Sequence, residues 1–582
     1  MDTVQLTIDG RPVTVPAGST ILEAARAVGI AIPTLCYHPD LAVRANCRIC
    51  TVEVAGARTL QAACSQPVQA GMVVKTATPR VRETRQINLE LLLANHPQDC
   101  LNCGKNSHCE LRSLAADYNV RAPRFSQQQP RDGFQDHSNP SIVRDPAKCI
   151  LCRRCVAVCH EVQGVGALYP MNRGVDTVIT PIGSHSLAEV PCAFCGQCIQ
   201  ACPVGALQAV DDTERAWALL ADPAAHVIVQ TAPAVRVAIG EEFGMAPGTV
   251  ATGKLVAALR RLGFDRVFDT DFSADVTIME EGHELLERIQ HGGTLPLITS
   301  CSPGWIKYME HFYPEFLDNL STCKSPQQMF GALAKTYYAE QSGIAAERIK
   351  VISIMPCTAK KFECTRPEMN ASGYQDVDLA LTTRELGRML REAGIRFTDL
   401  LDEEYDAPLG ISTGAAAIFG ATGGVMEAAV RTVYEVVTGN ELPRLELTAV
   451  RGLDGVKEAT LDLNGTAVKV AVAHGLANAA KIMDRMKAGT ADYHFIEIMA
   501  CPGGCIGGGG QPYPTNTATR QARIQAIYAA DRNLPLRKSH QNPAVQELYR
   551  DFLCAPLSER SHQLLHTHYT ERGKYPGIND PQ

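Results

Sequence analysis

Two runs of four cysteines dominate the chemistry available to this chain. Cys149, Cys152, Cys155 and Cys159 advance in steps of three, three and four, and Cys192, Cys195, Cys198 and Cys202 repeat the pattern before Pro203. A loop this tight wraps three corners of an iron–sulfur cube, and the fourth cysteine of each run then ligates the other cube. Zinc is the competing occupant, but it usually takes paired CxxC units set far apart. The runs read as ligands for two 4Fe–4S clusters. His160 follows the first run where Pro203 ends the second, a departure that touches no ligand.

Two further sets lie upstream. Cys36, Cys47, Cys50 and Cys64 suit a 2Fe–2S cluster, although their spacing differs from the plant-type run and leaves zinc open by spacing alone. Cys100, Cys103 and Cys109 need a fourth ligand, and His96 is the evident one. A histidine there could equally be a surface residue at a helix end. As a ligand, an imidazole in place of a thiolate removes a negative charge and should raise the cluster potential. Fifteen cysteines and one histidine thus predict four clusters in series. Such a chain conducts electrons and has no reaction of its own, so residues beyond 210 are expected to hold a redox site.

The elements that must position these residues change along the chain. VQLTIDGRPVTV reads as a hairpin turning at Asp9-Gly10. A short helix, STILEAARAVG, follows, with Ser19 and Glu23 as its start signal. Residues 79 to 118 look helical, and RFSQQQPRDGFQDHSNP reads as a linker or surface loop. From about 211 onward, strands such as HVIVQTA, VKVAVAHG and HFIEIMA alternate with amphipathic helices. The predicted fold class is multidomain, α+β and α/β. It comprises a β-grasp 2Fe–2S ferredoxin-like domain (1–78), a small helical His/Cys cluster domain (79–118), a two-cluster ferredoxin domain of the bacterial type (140–210) and a large α/β catalytic domain (211–582).

The 582 residues are 45% hydrophobic and 20% charged, with a net charge of −7, which is globular and carries no basic footprint for nucleic acid. The opening MDTVQLTIDGRPVTV alternates like a strand and lacks the form of a signal peptide, and no apolar run is long enough to span a membrane. The expected location is the cytoplasm, where 22 cysteines stay reduced and ligate metal rather than pair. GTVATGKL, from Gly248, has the frame of a phosphate loop but puts Leu255 where Ser or Thr should hold magnesium. No G-x-G-x-x-G opens a helix, so a nucleotide would have to be bound by a partner.

Seven cysteines remain, and three of their contexts are distinctive: TSCSPGW (299–305), MPCTAKKFE (355–363) and EIMACPGGCIGGGGQP (497–512). These resemble the three signatures of iron-only (FeFe) hydrogenases. The whole chain resembles their long multi-cluster form, most of all the catalytic subunit of NADP- or NAD-linked hydrogenases, electron-bifurcating ones included. The resemblance implies an H-cluster, a 4Fe–4S cube joined to a di-iron unit that carries CO, cyanide and azadithiolate. It makes Cys357, Cys501 and Cys505 ligands, with Cys505 the bridge. Lys360 and the backbone at Ala232 and Pro233 would donate to the cyanides, and Met355, Met499 and Gln327 would pack around the carbonyls. The glycine run after Cys505 is expected to let the chain pack against that centre.

One departure stands out. The family usually reads TSCCP, the second cysteine a cube ligand and the first a proton donor. Here the ligand position is Ser302 and the donor position Cys301. Either Cys301 ligates after a slight backbone shift, or Ser302 ligates and Cys301 keeps the relay role. Register favours the second arrangement. Thiolate is the better iron ligand, and on that chemistry Cys301 enters the expected metal set. For protons, the resemblance places Glu281, Ser321, Glu284 and Arg288 in a relay; Glu281 and Glu284, three apart, share a helix face. Read without the resemblance, such glutamates would complement a helix dipole from its first turn. Cys323, Cys364 and Cys554 match no motif and are expected to be buried small hydrophobes.

The expected function is H₂ ⇌ 2H⁺ + 2e⁻, with electrons exchanged through partner subunits: an NAD(P)-binding flavoprotein, a 2Fe–2S protein, and ferredoxin as a further candidate. Maturation proteins must supply CO and cyanide. The alternatives are a non-catalytic electron-transfer subunit, since residues 1 to 210 also resemble the iron–sulfur subunit of respiratory NADH dehydrogenase, and an H₂-sensing regulatory hydrogenase.

Overall fold

A computed structural model describes residues 2–121, 124–125, 134–463 and 466–574. Positions 126–133, about half of the expected polar linker, lie outside the described residues.

At the N-terminus, strands Thr3–Ile8 and Arg11–Pro16 pair antiparallel. Their turn places Asp9 at φ 46° and Gly10 at φ 78°, the left-handed pair that an Asp-Gly hairpin turn requires. They form one side of a five-stranded sheet completed by Val73–Lys75, Thr51–Val54 and Gln61–Ala62. The helix Ile21–Ala27 is capped by Thr20, not Ser19: Glu23 accepts from the Thr20 backbone N–H at 2.7 Å, closing a capping box one residue later than expected. Helices Pro79–Ala94 and Glu110–Asp117 flank the His/Cys segment. Strands Ile142–Arg144 and Leu207–Ala209 then pair antiparallel and bring the ends of the cysteine repeat together, folding the two runs against each other.

The large C-terminal part contains two four-stranded sheets. In the first, Arg266–Asp269, His226–Thr231, Ile349–Met355 and Leu379–Thr382 all run parallel. In the second, Leu297–Ile298, Phe495–Met499 and Thr466–His474 are parallel, and Val456–Leu463 returns antiparallel. The central strands are buried along nearly their whole length, which explains their continuous apolar runs. Each distinctive motif begins where a parallel strand ends: Ala232 after Thr231, Cys301 after Ile298, Cys357 after Met355 and Cys501 after Met499. Open α/β sheets bind ligands at that edge.

The helix Thr270–His291 packs against Pro326–Leu333 and Gly424–Thr438 and is buried for most of its length. After the helix Glu559–Leu565, the C-terminal strand of chain pairs with the segment around Cys323. Lys324 N–H donates to Leu565 O at 2.8 Å and Thr567 N–H to Thr322 O at 2.7 Å. Among the described residues no helix is long and apolar enough to cross a membrane.

Candidate functional site

The cysteines group as their spacing suggested. In the N-terminal sheet domain, Cys50 Sγ lies 3.4 Å from Cys64 Sγ, and the Cys47 N–H donates to Cys36 Sγ at 3.5 Å. Within each pair one thiol gives its proton to share: the contact with Cys47 lowers Cys36 to about 6, and the contact with Cys64 lowers Cys50 to about 7. Two pairs suit two irons, each taking two protein sulfurs. Among the described residues no three His, Cys, Asp or Glu side chains are spaced for a single metal ion. His96, Cys100 and Cys109 line one hollow of about 390 Å³, and Cys103 adds its charge to that of Cys109. Cys103 Sγ abuts Gly205, where a Cβ would sit 2.5 Å away; the glycine lets this set approach the ferredoxin-like domain.

There, Cys149, Cys152, Cys155 and Cys202 line a small hollow of about 20 Å³. Cys192 is pushed up to about 12, first by burial, with Cys159 and Cys195 adding to it, and Cys198 rises by burial and the same neighbours. The fourth thiol of each run therefore sits with the other run. In each set, sulfurs close enough to raise one another form a donor set that a cationic cluster completes.

The second group sits beside the glycine run, clamped there by three glutamines. Gln163 donates to Ala500 O at 3.0 Å, Gln197 to Gly507 O at 2.9 Å, and Gln200 to Gly508 O at 3.2 Å and Gln511 O at 2.7 Å. The glycines also meet close backbone neighbours. A Cβ on Gly508 would lie 2.1 Å from Pro356 O, and one on Gly509 2.6 Å from Cys195 O. Neighbouring backbone by itself excludes side chains at these positions.

Beyond this junction, Cys501 is buried and Cys301, Cys357 and Cys505 are half-buried. Their neighbours in the chain, Met355, Ala359, Met499, Ala500 and Ile506, are buried. Burial raises all four thiols. Cys505 is pushed up to about 12 by burial and by Cys357, against the pull of Lys360; Cys501 also feels Cys357, Cys195 and Cys505. Lys360 Nζ donates to Cys301 O at 3.2 Å and to Glu363 at 2.9 Å. The donor set fits an iron centre: clustered thiols, one ammonium, and apolar neighbours; Ala232 and Pro233 are buried, Ala232 in the same apolar core as Met355. Gln327 lies alongside, its amide engaged by Glu363 at 2.9 Å and Ser353 at 2.8 Å.

Cys301 and Ser302 part company here. Beyond burial, Cys301 is raised by Glu281 and Cys505. The Ser302 hydroxyl instead accepts from Ala500 N–H at 3.3 Å, on the Cys501 side, at the start of the helix Pro303–Phe312.

From Cys301 a chain of polar groups leads away. Glu281 is pushed up to about 8 by burial and then by Glu284, and Ser321 hydrogen-bonds to it. Ser321 Oγ donates to Glu284 at 2.7 Å, and Arg288 donates to Glu284 at 2.6 Å. Both glutamates lie far past the first turn of Thr270–His291, so the helix dipole does not account for them.

Two residues at this site carried no sequence signal. Glu497 accepts from Gly423 N–H at 2.6 Å and Met426 N–H at 2.7 Å, and its charge raises Cys301, Cys505 and Glu281. His474 Nδ1 accepts from Gly503 N–H at 3.1 Å, which pins the turn between Cys501 and Cys505. Burial, then Lys457, lowers His474 to about 4, leaving it the neutral ring that this contact needs. Of the unassigned cysteines, Cys323 and Cys364 are buried as expected, whereas Cys554 is exposed.

A fold that ends its strands on buried thiols, fed by iron–sulfur domains, belongs to a known class. The model of the iron only hydrogenase large subunit, C-terminal domain, matches residues 225–509, and that of the iron hydrogenase small subunit matches 517–572. Upstream, a 2Fe-2S iron-sulfur cluster binding domain matches 1–79. The NADH-ubiquinone oxidoreductase-G iron-sulfur binding region matches 85–124, and the ferredoxin-like domain of NADH-quinone oxidoreductase subunit 3 matches 139–208. The chain belongs to the FeFe-hydrogenase family and is an oxidoreductase acting on H₂, carrying 2Fe–2S and 4Fe–4S clusters and an H-cluster. It is 52% identical to the NADP-reducing hydrogenase subunit HndD of Solidesulfovibrio fructosivorans, over 98% of this chain and 100% of that one. It is 41% identical to iron hydrogenase 1 of Clostridium pasteurianum, over 95% and 97%. A solved FeFe-hydrogenase of Chlamydomonas reinhardtii is 45% identical and superimposes with a TM-score of 0.57, covering 62% of this chain and 100% of its own.

Proposed function

We propose that this chain is the catalytic subunit of a multi-subunit, NADP-linked cytoplasmic hydrogenase with four relay clusters. In this reading Cys36, Cys47, Cys50 and Cys64 hold a 2Fe–2S cluster, and His96, Cys100, Cys103 and Cys109 hold a 4Fe–4S cluster. Cys149, Cys152, Cys155 and Cys202 hold a second cube, and Cys192, Cys195, Cys198 and Cys159 a third. Cys357, Cys501 and Cys505 hold the H-cluster. The domains follow at 1–78, 79–118, 140–210 and 211–582. The bound H-cluster supplies an open iron site and a bridging amine for heterolytic cleavage of H₂.

The protein contributes the remainder. Lys360 holds a positive charge among the thiols, His474 fixes the cysteine turn, and the buried apolar neighbours keep bulk water out. Cys301 serves as the donor that exchanges protons with Glu281. Its support is its position against Glu281, with Ser302 turned toward Ala500 on the cube side. Glu281, raised to about 8, can take and give a proton near neutral pH, and Ser321 and Glu284 pass it on. The NADP link rests on the name of the S. fructosivorans relative and implies a flavoprotein and a 2Fe–2S partner.

One observation carries the reading. The backbone of Cys195, in the third cube's ligand loop, lies against Gly509 and 4.0 Å from Cys501 Sγ, while the acid chain begins at Glu281, whose charge bears on Cys301. Electrons and protons thus have separate routes to one site. Infrared spectroscopy of the matured protein tests it. Bands of metal-bound CO and cyanide are expected; their absence after full maturation would leave only an electron conduit.

A further inference from the structure

The relay through Glu284 has a side arm that the expected path does not use. Thr322 Oγ1 lies 3.3 Å from Glu284 Oε1 and 2.8 Å from His566 Nδ1. The other ring nitrogen, Nε2, lies 3.1 Å from Glu280 Oε2. Glu280 is fully buried and also accepts from Tyr549 OH at 2.5 Å and Leu557 N–H at 2.9 Å. Burial alone would raise Glu280, but His566 and its other donors outweigh it and hold the carboxylate low, in its ionised form.

The proton inventory of this arm is unusual. Glu280 is acceptor-only, so Nε2 must carry a proton. Thr322 has a single proton and two acceptors within reach, Nδ1 and Glu284. With a neutral ring, the hydroxyl points at Nδ1 and leaves Glu284. With a doubly protonated ring, Nδ1 donates to the hydroxyl, which then donates to Glu284. The same side chains accommodate both states without moving a heavy atom. Arg288, the outer member of the expected path, offers N–H donors and no acceptor for an incoming proton. A neutral imidazole offers both.

We propose that His566, held by Glu280, is a one-proton reservoir on the relay and feeds Glu284 through Thr322. The Nδ1 proton passes to Thr322 Oγ1 as the hydroxyl's own proton passes to Glu284 Oε1. Imidazolium becomes imidazole, carboxylate becomes carboxylic acid, and threonine is unchanged. Solvent refills the ring at its rim, where His566 is 9% exposed and the exposed His562 faces it with ring centroids 4.3 Å apart. The titratable groups facing His566 are Glu280 and Glu284 (the latter with Arg288) from the long helix, Cys323 from the paired segment, Tyr549 beyond Glu280, and His562.

The inference rests on Glu284 lying on the proton path, and the experiment separates the two. His566→Gln keeps a polar side chain but cannot store a proton, while Thr322→Val cuts the link and Thr322→Ser keeps it. In the matured holoenzyme, His566→Gln and Thr322→Val should lower proton reduction by about three- to ten-fold, less than loss of an acid–base group on the main path. Both should lose the same limb of the pH profile and raise the solvent isotope effect. Thr322→Ser should restore the parent profile, and free imidazole should partly rescue His566→Gln. Independently of turnover, hydrogen–deuterium exchange at the imidazole C2 of His566, read by mass spectrometry against pH, should shift in Thr322→Val and Glu280→Gln. Parent-like pH profiles and isotope effects in His566→Gln and Thr322→Val, with Glu281→Gln impaired, would overturn the reservoir alone. If Glu281→Gln is also unimpaired, the path itself falls. An unchanged C2 titration in Thr322→Val would likewise refute the coupling.

Discussion

Replacing Gly509 with alanine probes the point where the electron route meets the catalytic centre. The new Cβ would stand 2.6 Å from Cys195 O and 2.7 Å from Gly196 Cα. Comfortable non-bonded separations are about 3.5–4.0 Å, so the two loops must part by roughly 1 Å. Both obstacles are backbone and cannot rotate away. The Gln197 and Gln200 bonds to Gly507 and Gly508, at 2.9 and 3.2 Å, span the same seam and would be stretched beyond useful length. Overpacking of this kind costs about 1–3 kcal/mol, enough to open the seam without unfolding a chain of this size. Two measurements on one preparation read the effect. Exchange between H₂ and D₂O needs only the catalytic site and its proton route, and should stay near the parent rate. Reduction of the relay clusters after mixing with H₂, followed by freeze-quench electron paramagnetic resonance, should slow markedly. If both rates fall together, or neither changes, the Cys195–Gly509 contact is not the electron junction.

Three further substitutions test other parts of the site. Glu281→Gln should leave the infrared bands of the metal centre intact and lower turnover by about 10²–10⁴, the range for losing a positioned acid–base group. Unchanged turnover would remove Glu281 from the path. Ser302→Cys should supply a fourth thiolate on the Cys501 side and make the cube harder to strip with a chelator, as measured by iron retained per chain, whereas Cys301→Ala should leave that retention unchanged. Retention that drops in Cys301→Ala would instead make Cys301 the ligand. Asp275, buried and bonded to Thr413 and Asn542, is pushed up to about 7 by burial, above its value in the unfolded chain. The folded state therefore keeps a proton that the unfolded state has lost, and stability falls as pH rises toward 7, by up to about 1.4 kcal/mol per unit. Asp275→Asn should flatten that slope. Urea midpoints at pH 5.5 and 7.5 that change equally in parent and variant would refute it.

The sequence was informative wherever a requirement is local. Cysteine steps of three and four encode a cube in one loop, and even the exchange of fourth ligands follows from the repeat. Asp9-Gly10 specifies its turn by backbone sterics alone. Residues that act across the fold left no such trace. Gln163, Gln197 and Gln200 become meaningful only when a loop some 300 residues away lies against them. The glycine run announced a close approach but not what approaches, because Pro356 and Cys195 reach it only in three dimensions. Glu497 sits in a strand with an apolar pattern, its role set by backbone N–H groups of a distant helix start. Ser19 and Thr20 both suit a cap, and only the angles of the chain decide between them.

The pairing of Leu565 and Thr567 with Thr322 and Lys324 bears on how this enzyme comes into being. Polypeptides leave the ribosome from their N-terminal end, and early domains fold as units. The cysteine-rich modules and both sheets can take shape while the partner strand of Thr322 is still unsynthesised. Ser321, whose carbonyl accepts from Tyr569 OH at 3.0 Å, gains its full surroundings only once that strand has been made. Until Thr567 and Tyr569 have been made and docked, Thr322 lacks its backbone partner and the Ser321 carbonyl its phenol donor, so the relay is the last part of the site to be enclosed.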